Sequence, residues 1–421
     1  MKTSALSIAV LLALAGLPAV AQQPAAPAAG GHPSPLNFPR VQYPRIEDDN
    51  KVTFHFNAPN AQKVQVTIVS TNFDMTKSAD GVWTFTTPVP QAPGYHNYWY
   101  MVDGSLVLDP NVETFIGYSH MCNGFEVPAS DGDFYALKDV PHGNVELRNY
   151  FAKETTNGWR HIFVYTPPGY DKDTTSRYPV LYLQHGGGED QRVWTEMGHA
   201  NLILDNLISE GKAKPMIIVM ETSDVAGGGG FGGPRRGGGA PGGTNGAFAR
   251  GGTNGAFARG GTNAPRGGGG PGSTFGNAPI PAGGGAYGLL MVKDLIPWVD
   301  ANYRTVSDQP HRAMAGLSMG SMQTHNVTMA NLDKFSHIGL FSGSTVSTTE
   351  AGNVTDFKDK AKVVFMSFGS LEPGSPNAKA AAAALKDAGV NAFFYESPGT
   401  AHEWQSWRRS LREYAQLLFQ N

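Results

Sequence analysis

Apolar and polar positions alternate every second residue through the first quarter of the chain. Val52, Phe54 and Phe56 alternate with polar residues, as do Val64, Val66 and Ile68, then Trp83 and Phe85, then Tyr98, Tyr100 and Val102. A period of two puts every other side chain on one face of a strand. The turn formers Ala58-Pro59-Asn60, Gly81 and Asp103-Gly104 separate these runs. The rhythm predicts an antiparallel β-sandwich over residues 39–136. Trp83, Trp99 and Tyr118 are its candidates for an exposed sugar-binding surface, although alternation assigns most aromatics to the inner face, where they pack. No catalytic cluster is evident within it.

From residue 137 onward the pattern is one of apolar strands alternating with amphipathic helices. Runs at 160–165, 179–184, 215–220, 312–317, 362–368 and 391–395 read as strands. Ile203, Leu204, Leu207 and Ile208 share a helical face that Gly211 can cap. Val292, Leu295, Ile296, Val299 and Tyr303 mark another helix, bent at Pro297, and residues 321–330 and 378–388 two more. Trp404, Trp407, Leu411, Tyr414 and Leu418 mark the last. Fully apolar strands connected by helices predict a mostly parallel sheet covered on both faces, an α/β fold over residues 137–421.

Three stretches lie outside this pattern. Residues 1–21 combine Lys2, an apolar run and Ala19-Val20-Ala21, which is the make-up of an export leader cut after Ala21, so a secreted or periplasmic protein is expected. The run is too short to span a bilayer, and no membrane partner is expected. Residues 22–38 are rich in Ala, Pro and Gly and read as a linker. Residues 225–285 hold Gly-Gly-Thr-Asn-Gly-Ala-Phe-Ala-Arg twice in tandem, at 242–250 and 251–259, with few branched apolar residues. Such a composition cannot offset its ordering entropy and predicts a disordered insert. Arg-Gly runs with interspersed Phe are able to bind single-stranded nucleic acid. A net charge of −3 over 421 residues and the export leader argue against that partner. Cys122 is the single cysteine, which excludes an intrachain disulfide and reads as a core residue.

The candidate chemistry centres on Gly316-Leu317-Ser318-Met319-Gly320, a G-x-S-x-G pattern between an apolar strand and a helix. Flanking glycines let strand and helix backbones meet at a sharp turn with the serine at its tip. In hydrolases built this way the acid and the base follow the serine at the ends of later strands. Of the histidines beyond Ser318, His325 falls in the elbow helix and His337 opens the next apolar segment. His402 follows the last strand and is the candidate base. Glu372, just after the strand at 362–368, is the candidate acid, with Glu396, Asp356 and Glu403 as rivals. The oxyanion donors expected are the backbone N–H of Met319 and that of Gly187, in His185-Gly186-Gly187-Gly188 after an early strand. Trp404 and Trp407 are candidates to line a substrate pocket, although their helical spacing also suits packing. No metal-ligand cluster or dinucleotide fingerprint is present, and no cofactor is expected.

Together these stretches resemble the esterase-D-like branch of the α/β-hydrolases, which includes carbohydrate esterase family 1 feruloyl and acetylxylan esterases and the enterochelin esterases. The resemblance runs through Tyr165-Thr-Pro-Pro-Gly-Tyr170, Tyr178 to Asp190, Asp205-Asn-Leu-Ile208, Ala315 to Gly320 and His402 to Arg408. It departs from many relatives in having Glu372 rather than aspartate, and Ser321 rather than a second glycine. It implies an α/β-hydrolase fold behind an E-set, glycogen-binding-like module. It also implies a serine carboxylesterase acting through an acyl-enzyme on feruloyl or acetyl esters of plant polysaccharide or its oligomers. A siderophore ester hydrolase and a non-catalytic glycan-binding protein are the alternative expectations.

Overall fold

The computed structural model describes residues 30–225 and 280–420. The expected leader, most of the linker and nearly all of the Gly/Arg-rich insert therefore lie outside the described residues.

The N-terminal region is a sandwich of two antiparallel sheets. One runs in the order His32–Pro33, Arg45–Ile46, Val52–Asn57, Val82–Thr86, Thr76–Lys77. The other runs Thr114–Gly117, His120–Val127, Gly94–Val102, Val64–Ile68, Thr71–Asp74. The predicted inner positions meet between them: Phe54 packs edge-on against Tyr98 and Phe125, with Val52, Val64, Val66 and Tyr100 around them. The first strand begins at His32, before the alternation starts, and Leu36 packs against the core. This Pro-rich entry carries no period-two signal because it pairs over only two residues.

The strand Gly94–Val102 departs from simple alternation. Residues Gly94 to Tyr100 are all buried. Tyr98 and Tyr100 fill the sandwich core, while Tyr95, of opposite parity, joins the core cluster of the second region together with Phe115. The outer face of this sheet is thus covered by the rest of the chain. Cys122 is buried beneath it, and burial pushes its thiol up to about 12.

The second region is built on eight strands: β1 (Asn144–Ala152), β2 (Gly158–Thr166), β3 (Val180–Gln184), β4 (Ile217–Glu221), β5 (Arg312–Leu317), β6 (His337–Phe341), β7 (Val363–Gly369) and β8 (Ala392–Ser397). Their spatial order is β1-β2-β4-β3-β5-β6-β7-β8, antiparallel at β1, β2 and β4 and parallel from there on. Strands β3 to β7 are buried along their whole length, because helices cover both faces. The helices that matter for the site are α1 (Ala200–Ser209), α2 (Met319–Ala330), α3 (Ser375–Asp387) and α4 (Trp404–Ala415). Ahead of Pro297 the helix carries a π-helical segment, Met291–Leu295, between Gly285–Leu290 and Ile296–Asn302. Pro297 lacks an N–H and crowds the preceding turn, so the regular ladder is interrupted just ahead of it.

Helix α4 joins the two regions. Arg408, fully buried, donates to both carboxylate oxygens of Glu126 (2.5 and 3.1 Å) and to the Met197 carbonyl (2.9 Å), with its guanidinium over the Tyr135 ring. Arg409 forks onto Asp131 (2.7 and 3.0 Å), which also accepts from Gln405 (3.1 Å). No helix among the described residues is long and apolar enough to cross a membrane.

Candidate active site

Strand β5 ends at Leu317 and α2 starts at Met319, which leaves Ser318 alone to make the turn. Its backbone takes φ +50° and ψ −114°, a conformation costly for a residue with a Cβ. The turn is possible because its neighbours have no side chains. A Cβ on Gly316 would lie 2.5 Å from the Gly320 backbone, and one on Gly320 would lie 2.7 Å from the Gln184 carbonyl oxygen and closer still to that of His185. The Ser318 N–H is anchored on the Phe341 carbonyl of β6 (2.9 Å). Ser321 Oγ accepts from the Ser344 N–H (3.0 Å) and so fixes the loop after β6.

The parallel register carries the other groups to the same edge of the sheet. Glu372 follows β7 and is 8% exposed. Its Oε2 lies 2.9 Å from His402 Nδ1, while Oε1 accepts from Ser342 Oγ (2.6 Å) and the Gly369 N–H (2.7 Å). Burial on its own would raise this carboxyl. The hydrogen bonds from His402, Ser342 and Gly369 outweigh it and hold Glu372 below the usual glutamate range. The loop bearing His402 is laced to the loop bearing Glu372 by Leu371 N–H to Thr400 O (2.9 Å) and Gly399 N–H to Ser370 Oγ (2.8 Å). The His402 ring is 48% exposed and stands edge-on to Trp407, with centroids 5.0 Å apart.

The rival carboxylates are engaged elsewhere. Glu396 accepts from Ser375 Oγ on α3 (2.6 Å), Asp356 pairs with Lys360, and Glu403 accepts from the Ala401 N–H (3.1 Å). His325 pairs with Glu350, and His337 is buried against Ser336 and Phe419.

After β3 the chain turns through residues 185–188. Gly186 N–H donates to Glu189 Oε2 (2.8 Å), and the Gly188 carbonyl accepts from Ser119 of the sandwich (2.9 Å). The N–H groups of Gly187 and Met319 donate to no group among the described residues. Two unspent backbone donors flanking a serine suit a developing oxyanion. Burial pushes the Glu189 carboxyl up to about 8, although the Gly186 N–H draws it down. Burial also lowers His185, whose ring contacts the Gly186 carbonyl and the Ser223 N–H, so it serves the loop rather than the chemistry.

Ser318 and His402 open onto one cavity of about 370 Å³, which Gly186, Gly187, Glu189, Trp404 and Trp407 also line. The two tryptophans are buried in the core as well, so packing and lining are one role rather than two. Leu317, Ala401 and Glu403 complete the lining from this region, and the rest comes from the sandwich: Val69, Tyr95, His96, Asn97, Gly117 and Tyr118. Sequence reasoning found no part for the sandwich at the site. Its contribution is invisible along the chain because it arises only where two separately patterned regions meet. Ser342 and Glu189 were missed as well, since a lone serine after a strand and a glutamate in a glycine-rich turn carry no signal of their partners. No group of three or more metal-ligating side chains occurs among the described residues.

Comparison with known proteins places this arrangement. An "Endo-1,4-beta-xylanase/feruloyl esterase" of Xylanibacter ruminicola is 35% identical over 398 residues, covering 92% of this chain and 47% of that protein. An esterase of Mycobacterium tuberculosis is 24% identical over 250 residues, 59% of this chain and 43% of its own. The chain thus spans about half the length of these curated relatives. Among solved structures, the enterobactin esterase FES of Shigella flexneri in the presence of enterobactin shares the fold. It has a TM-score of 0.56 and 16% identity, covering 88% of this chain and 92% of that one. The family model Esterase, described as "Putative esterase", matches residues 153–228 and 274–417, which include Ser318, Glu372 and His402, and the chain belongs to that family.

Proposed function

We propose that the protein is an exported serine carboxylic-ester hydrolase that removes feruloyl or acetyl groups from plant polysaccharide or its oligosaccharides. The observation that carries this reading is the single cavity onto which the strained Ser318 and the Glu372-bound His402 both open. In this reading His402 Nε2 takes the proton of Ser318 Oγ as that oxygen bonds to the ester carbonyl carbon. The oxyanion receives the N–H groups of Gly187 and Met319. When the tetrahedral intermediate collapses, the bond to the sugar oxygen breaks and His402 returns the proton to it. Water then repeats the sequence on the acyl-enzyme and releases the acid. Glu372 holds the imidazole with its proton on Nδ1 and stabilises the imidazolium.

The substrate class rests on the Xylanibacter ruminicola relative and on the aromatic lining of the cavity. Siderophore hydrolysis finds less support, since among the described residues no lysine or arginine lines the cavity to meet an anionic metal catecholate. The test is a panel of p-nitrophenyl acetate, methyl ferulate, acetylated xylan and a catecholate siderophore, run beside Ser318→Ala. Loss of about 10³-fold or more in the variant, with ferulate or xylan preferred, supports the reading. Equal inertness of both proteins on every ester contradicts it.

A further inference from the structure

The cavity is walled on one side by a surface that an isolated sandwich would expose to solvent. Tyr95 and Asn97 share the outer face of the strand Gly94–Val102. Tyr118 stands at the turn between Thr114–Gly117 and His120–Val127, with φ +53° followed by φ +64° at Ser119. Positive φ at both positions is what a two-residue hairpin loop between Gly117 and His120 requires, and the turn touches the loop beside Ser318. Ser119 N–H donates to Gly188 O (2.9 Å), and any Cβ on Gly188 would meet Ser119 N at 2.8 Å. Trp99 backs the Tyr118 ring at 5.5 Å between centroids. Tyr118 is nonetheless 41% exposed, a large aromatic face turned toward an opening rather than into a core.

Asn97 adds a polar requirement. It is 9% exposed, and its Oδ1 accepts from Tyr95 OH (2.7 Å), which fixes the amide so that Nδ2 is the remaining donor. That nitrogen donates to no group among the described residues, and it belongs to a side chain lining the cavity. An amide donor left open toward the cavity is available to an acceptor on a ligand. The aromatic side chains Tyr118, Tyr95, Trp404 and Trp407 in the lining, together with the Asn97 amide, fit a planar aryl group carrying an oxygen substituent. An acetyl group would leave the face and the donor unused.

We infer that the β-sandwich is the specificity-determining half of the active site, with Tyr118 and Asn97 selecting an oxygen-substituted aryl acyl group. This rests on the ester-hydrolase reading above and deepens it. The sandwich is thereby a fixed wall of the cavity, not a tethered glycan-binding module. The salt bridges from α4 to Glu126 and Asp131 hold it in register with His402.

The test compares kcat/KM for methyl ferulate and p-nitrophenyl acetate in wild type, Tyr118→Asn, Tyr118→Phe and Asn97→Ala. Asparagine tolerates the left-handed backbone, so Tyr118→Asn removes the ring without adding strain. The ferulate-to-acetate ratio should fall about tenfold in Tyr118→Asn and in Asn97→Ala, mainly through KM, a size typical of lost uniform binding. Tyr118→Phe should restore most of it. In parallel, the dissociation constant of methyl ferulate is measured by calorimetry on Ser318→Ala with and without Tyr118→Asn, which needs no turnover, and should weaken by about the same factor. An unchanged ratio and an unchanged dissociation constant, in a wild type that does hydrolyse esters, overturn the inference alone. A wild type that neither hydrolyses any ester nor binds methyl ferulate removes the ester-hydrolase reading, and this inference with it.

Discussion

Replacing Glu372 by glutamine changes one atom and should disable the base. In the native site Oε1 accepts from Ser342 Oγ (2.6 Å) and the Gly369 N–H (2.7 Å), and Oε2 faces His402 Nδ1 at 2.9 Å. The backbone donor of Gly369 cannot reverse its polarity. A glutamine amide must therefore turn its oxygen toward Gly369 and its NH₂ toward His402, because the opposite orientation leaves two donors face to face in a buried place, at about 1–3 kcal/mol. Facing an NH₂, His402 Nδ1 must become an acceptor, and the ring proton moves to Nε2. That nitrogen can then no longer take a proton from Ser318. The same tautomer error in a serine protease triad costs about 10⁴ in kcat, equivalent to about 5.4 kcal/mol of transition-state stabilisation. The assay is the kcat for p-nitrophenyl acetate from pH 6 to 9, with circular dichroism to confirm folding. The expected result is a fall of about 10³–10⁴ with KM little changed. Activity of Glu372→Gln within tenfold of wild type at pH 7 would refute the tautomer argument.

Other expectations follow from the same geometry. Glu372 is held below the usual glutamate range, so the stability it contributes is present above pH 4.5 and is lost as pH falls through the lowered value. Acid unfolding followed by tryptophan fluorescence should shift in Glu372→Gln. Glu189 has the opposite sign. Its carboxyl is raised from 4.5 to about 8, so its contribution is complete below 4.5 and lost as pH rises through about 8. In Glu189→Gln the melting temperature should lose that decline between pH 4.5 and about 8. Gly320→Ala drives a methyl into the carbonyl oxygens of Gln184 and His185, which overpacks a backbone contact and should lower stability by about 1–3 kcal/mol in a denaturant titration. Arg408→Ala leaves Glu126 without its bidentate partner between the two regions and should cost about 3–5 kcal/mol, read in the same titration.

Six of the eight strands and the longer helices of the second region were legible because they are periodic and punctuated, whereas the edge strand β1 was not read; the parallel order then carried Ser318, Glu372 and His402 to one edge. The α2 start was displaced by two residues, from Ser321 to Met319, because the elbow's sharpness is set by contacts of Gly316 and Gly320 with a neighbouring strand. The first strand of the sandwich was hidden by its proline content. What the sequence could not reveal is anything that depends on two distant segments meeting. Ser342 reaches Glu372 across 30 residues, and Tyr118 and Asn97 reach the cavity across the seam where α4 pairs with Glu126 and Asp131 of the sandwich. The outer-face aromatics read as ordinary strand positions because alternation reports on which side a residue lies, not on what covers that side.

The central claim is that Ser318 carries the acyl group. Its most direct test is acid quenching of the enzyme during turnover of p-nitrophenyl acetate, followed by mass spectrometry of the intact chain and its peptides. An acetyl increment on the peptide containing Ser318, lost on standing before the quench and missing in Ser318→Ala, is the predicted result. An acetyl group on another residue, or sustained turnover by Ser318→Ala, would contradict the account.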